Sequence, residues 1–77
     1  MMTSQLDVAV SGFKKLAAKC KVAADQAASE TLQSTRFGCY GAVCTNMAGI
    51  IADRGSVLDA EIATLVAYER DIANLTR

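Results

Sequence analysis

The sequence predicts an all-α fold, an antiparallel helical hairpin or three-helix unit completed by oligomerisation or a partner helix, and three observations point there. Hydrophobic residues make up 52% of the 77 residues, yet there is no proline, no tryptophan and only two phenylalanines and two tyrosines. That is the composition of Ala-rich helices, because sheets draw on β-branched and aromatic alternation. Apolar residues recur at helical spacing in three separate stretches, and two of those stretches open on a serine followed three residues later by an aspartate.

Helix one is expected over about 4–33. Ser4-Gln5-Leu6-Asp7 reads as a serine N-cap with a carboxylate in the first turn, where it suits the helix dipole. Leu6, Val10, Phe13, Ala17, Cys20, Ala24 and Ala27 then form an apolar seam at near-heptad spacing, with Lys14, Lys15, Lys19 and Lys21 away from it. Towards its end the seam carries only alanine, which lets another helix come close. Around Ser34-Thr35-Arg36 the pattern loses its apolar members, so a break is expected there. The lack of proline also leaves open one continuous helix from Ser4 to Arg54.

Helix two is expected over about 37–53, and its side chains sort by size around the axis. Gly38, Gly41, Ala42, Thr45 and Gly49 share a small face suited to close packing, while Phe37, Tyr40, Val43, Met47 and Ile51 take the large side. Gly55 is expected to end this helix in a left-handed conformation, and Ser56 to cap helix three, over about 57–76, with Asp59 in its first turn. Leu58, Ile62, Leu65 and Ile72 lie on one stripe of helix three. Together with the large side of helix two they are the expected interaction residues. Glu61 sits near that stripe, so it must lie at the edge or meet a basic partner.

Charge and cysteine chemistry exclude several function classes. Eight basic and eight acidic residues cancel, so the chain lacks the electropositive footprint of a nucleic-acid binder. Residues 1–36 are net basic and 53–77 net acidic, which would favour antiparallel packing of the first helix on the last. Cys20, Cys39 and Cys44 are read as buried structural thiols. No histidine is present to complete a zinc site or to activate a nucleophile. Paired acids such as Asp59 with Glu61, or Glu69 with Asp71, diverge at i, i+2 spacing, and no phosphate-cradling glycine motif occurs. No catalytic, metal or cofactor site is therefore expected, and the chain is read as not an enzyme.

The longest uncharged run, Phe37 to Ala52, falls short of a membrane span, and Met1 to Val10 lacks the features of a cleavable signal, so a cytoplasmic location is expected. A chain this short and this apolar has too little of its own surface to cover its aliphatic side chains. The expected role is a protein–protein interaction module that binds itself or a partner helix: an adaptor, a holding chaperone or co-chaperone, or an assembly subunit of a larger complex such as a secretion apparatus. The comparison with such small helical proteins rests on length and architecture alone. The alternative is a membrane-surface amphipathic protein using the lysine face.

Overall fold

The computed structural model describes residues 4–27 and 32–75, which form three helices with no strand among them: α1 (Gln5–Gln26), α2 (Leu32–Arg54) and α3 (Asp59–Leu75). α1 starts as its local chemistry dictates. The Asp7 N–H donates to Ser4 Oγ at 3.2 Å and the Val8 N–H to the Ser4 carbonyl at 3.0 Å, so the serine caps the first turn.

The first reversal comes earlier than the pattern suggests. α1 ends at Gln26, and Ala27 is extended at φ −76°, ψ 152° while its N–H still reaches the Ala23 carbonyl. α2 begins at Leu32, so Ser34-Thr35-Arg36 lies inside a helix and a continuous helix from Ser4 to Arg54 is excluded. The physical reason is burial of Phe37. Reversing before it swings that ring back beside Ala23 and Gln26 of α1, where it is 2% exposed, a gain of about 2 to 3 kcal/mol for a large apolar side chain.

The second reversal follows the local signal up to Gly55 and departs after it. Gly55 takes φ +75° and its N–H bonds to the Ile51 carbonyl at 3.0 Å, closing α2. Ser56 does not cap α3. The helix opens two residues later, with Leu58 at the cap position, and the Glu61 carboxylate reaches back to accept from the Leu58 N–H at 2.9 Å. This is one half of a capping box, with the glutamate present and the serine absent. The same carboxylate pairs with the Arg54 guanidinium, whose Nε donates to the Ser56 carbonyl. Glu61 thus finds its basic partner within the chain.

α1 and α3 run parallel to one another and antiparallel to α2. Gly12 lies against Leu65, and Leu16, Lys19 and Glu69 line one hollow further along the same direction. Antiparallel packing of the first helix on the last, expected from charge, does not occur: two successive reversals put them side by side in the same sense. The core joins Phe13, Leu16 and Cys20 of α1, Phe37, Cys44, Ala48 and Ile51 of α2, and Leu65 and Ile72 of α3. No described helix is long and apolar enough to cross a membrane.

Candidate interaction surface

The expected interaction residues divide into two sets once packed. Phe37, Ile51, Leu65 and Ile72 are buried in the chain's own core and offer nothing to a partner. Tyr40, Met47 and Ile62 are half-buried, and Val43 and Leu58 are exposed. The close-packing face divides as well. At Gly41 a methyl group would sit 3.4 Å from Cys20 Cβ, so this is the position of the small face that lies against α1. At Gly38 and Gly49 it would meet nothing within 4 Å, and Ala42 and Thr45 are exposed. Among the described residues the small face is therefore covered only along its inner edge. The Thr45 hydroxyl donates to the Gly41 carbonyl of its own helix at 2.9 Å. An open groove of about 510 Å³ runs along this flank between α1 and α2, with Ala17 and Ala24 opposite Gly38 and Ala42.

The other flank of α2 carries large side chains that no other described residue covers. Leu32 is 67% exposed, Ile50 54% and Val43 39%, and Cys39 is exposed between them. Arg36 and Asn46, both exposed, complete a row at alternating spacings of four and three residues: 32, 36, 39, 43, 46 and 50. At 100° per residue these six positions span about 80° of the helix surface, the geometry of a coiled-coil seam. A shallow, almost wholly apolar hollow of about 220 Å³ adjoins it, formed by Cys39, Val43 and the Tyr40 and Tyr68 rings with Thr35 and Arg36 at the rim. Those rings pack edge to face, 5.3 Å between centroids at 78°. The Tyr40 hydroxyl donates to Asp71 Oδ2 at 3.4 Å, and partial burial together with that carboxylate pushes the phenol upward.

Leu32, Cys39 and Ile50 were not among the expected interaction residues. The sequence puts Leu32 near the end of the first helix, expected over about 4–33, and reads Cys39 as a buried structural thiol. The signal that could have found the row is its 4-3-4-3-4 spacing, which becomes visible once α2 is known to begin at Leu32. Cys20 and Cys44, in contrast, are fully buried structural thiols. Burial pushes Cys44 up to about 11, with the neighbouring Cys20 adding to the shift, and burial also raises Cys20 against the opposing effect of Lys19.

Three helices of this size can present such a row to many kinds of partner, so the fold alone does not choose among them. No protein-family model, curated protein or solved structure matches the chain.

Proposed function

We propose that the chain is a non-enzymatic protein–protein interaction module, an adaptor or assembly subunit that binds through the apolar row on α2. One observation carries this reading: Leu32, Val43 and Ile50 stand exposed on one face of a helix whose opposite face is already packed into a core. Exposed aliphatic side chains aligned along one helix face, here with Arg36, Cys39 and Asn46 between them, are where a partner helix can dock. The membrane-surface alternative has less support. Phe13 and Leu16, large apolar side chains of the lysine-bearing helix, are used inside the bundle, which leaves Val8 and Val22 as the exposed aliphatic side chains it could offer a lipid layer.

The test is affinity purification of the tagged chain from its native cell, in parallel with Ile50→Asp and Lys15→Gln variants. A protein recovered in fixed stoichiometry with the parent and with Lys15→Gln, but lost with Ile50→Asp, supports the reading. Binding of the purified chain to anionic vesicles that Ile50→Asp leaves unchanged and Lys15→Gln weakens would replace it with the membrane reading.

A further inference from the structure

The row on α2 is symmetric about Gly41 in both position and chemistry. Leu32 and Ile50 lie nine residues either side of Gly41, Arg36 and Asn46 five residues either side, and Cys39 and Val43 two residues either side. Laying the row against an antiparallel copy of itself therefore sets Leu32 against Ile50, Cys39 against Val43, and Arg36 against Asn46, in six successive layers. Each apolar residue meets an apolar one, and each arginine meets an amide whose oxygen accepts its N–H. These pairings are also the layers an antiparallel coiled coil makes, in which each core position faces the other kind of core position on its partner.

The parallel alternative is penalised by the same residues. It would set Arg36 against Arg36, two like charges within a closing seam. A 4-3-4-3-4 spacing reads the same from either end in any heptad seam, so what favours a second copy is the chemistry of the pairings, apolar on apolar and Arg36 on Asn46.

With zero net charge, two copies meet without long-range repulsion.

We infer that α2 pairs with α2 of a second copy, antiparallel and centred on Gly41, through Leu32, Arg36, Cys39, Val43, Asn46 and Ile50. This rests on the interaction reading above and names its partner. The α3 helices remain outside the contact, each flanking it with Tyr68. Arg36 and Asn46 form the only polar layers and set the register, since a slip by one turn would bury each against an aliphatic side chain.

Sedimentation equilibrium on the purified chain at about 100 µM tests the inference directly. A dimer is expected for the parent, and Val43→Glu and Ile50→Glu are each expected to weaken it at least about tenfold while leaving helix content by circular dichroism unchanged. Asn46→Asp provides a gain: an aspartate opposite Arg36 of the other copy should tighten the dimer several-fold, which no effect on the isolated fold would produce. Cys39 reports orientation without any engineering. In the antiparallel register the two Cys39 positions are offset by about 6 Å along the axes, so a bismaleimide of about 10 Å reach should link them, and Cys39→Ser should abolish the link.

A monomeric parent at that concentration overturns the inference, and leaves the interaction reading to be judged by the native-cell purification alone. A dimer that both glutamate variants leave intact, weakening by Asn46→Asp, or a rapid direct disulfide between the two Cys39 residues, which requires them face to face, would each overturn it as well.

Discussion

α2 meets its two neighbours by different chemistry. Against α1 the contact is apolar and close, with Cys20 beside Gly41 and with Phe13, Cys44 and Ile51 fully buried. Against α3 the outer side is tied by polar groups: the Arg54–Glu61 pair at one end, Tyr40 on Asp71 midway, and Gln33 Nε2 on the Leu75 carbonyl at 2.7 Å at the other. The difference teaches where stability and register come from. Burial of non-directional side chains drives the first contact, whereas in the second the buried Leu65 and Ile72 are joined by part-buried and exposed hydrogen bonds that add modest net energy and fix how far along α2 the third helix sits.

The strongest test of that contrast compares Ile51→Ala with Tyr40→Phe. Deleting the buried isoleucine side chain should cost about 2 to 5 kcal/mol by chemical denaturation, while losing the long Tyr40–Asp71 hydrogen bond should cost no more than about 1 kcal/mol. Equal losses would mean that the polar side carries the fold.

A smaller effect is expected at the turn that joins α2 to α3. Gly55→Val places a β-branched residue at φ +75° and should destabilise by about 1 to 2 kcal/mol, whereas Ser56→Ala should leave the melting temperature almost unchanged because Ser56 does not cap α3. A large loss with Ser56→Ala would restore the serine to the role its sequence context suggests.

The two sides of the small face sharpen the comparison further. Gly49 faces open space inside a helix, so Gly49→Ala should stabilise the monomer by up to about 1 kcal/mol through helix propensity. Gly41→Ala should yield less, since its methyl group must share space with Cys20 Cβ at 3.4 Å. Thermal unfolding of both variants checks the order, and its reversal would show that Gly49 is the covered position.

The slightest effect is expected at Glu61, and it is read through pH. The Arg54 guanidinium, and then the Leu58 N–H, hold this carboxyl below its ordinary range. A lowered folded value adds stability that is fully present above the unfolded value of 4.5 and disappears as pH falls through the folded one. Glu61→Gln keeps an acceptor for Leu58 but removes the charge, so it should melt below the parent at pH 7 and converge with it as the solution is acidified. A gap between the two that stays constant down to pH 3 would place the effect in packing.

The legibility of each feature follows from the range of the interaction behind it. The Ser4 cap and the Gly55 stop were readable because a cap and a left-handed turn depend on residues within four positions. The start of α3 was misplaced by two residues because serine followed by aspartate competes there with Leu58 followed by Glu61. Only the second arrangement also brings the carboxylate to Arg54 across the turn.

By itself the sequence determined an all-helical chain, the first cap, the second stop, and which residues of each helix are apolar. Composition and helical periodicity are local properties that any packing must respect. Only the tertiary structure decided which of those apolar residues are spent inside. α2 is apolar around more than half of its circumference, and two neighbouring helices cover only part of that arc. They take Phe37, Cys44, Ala48 and Ile51 and leave Val43 and Ile50 outside. Where α1 stops was decided in the same way, because the end of a helix with no local breaker is set by the distant ring, Phe37, that has to be buried against it.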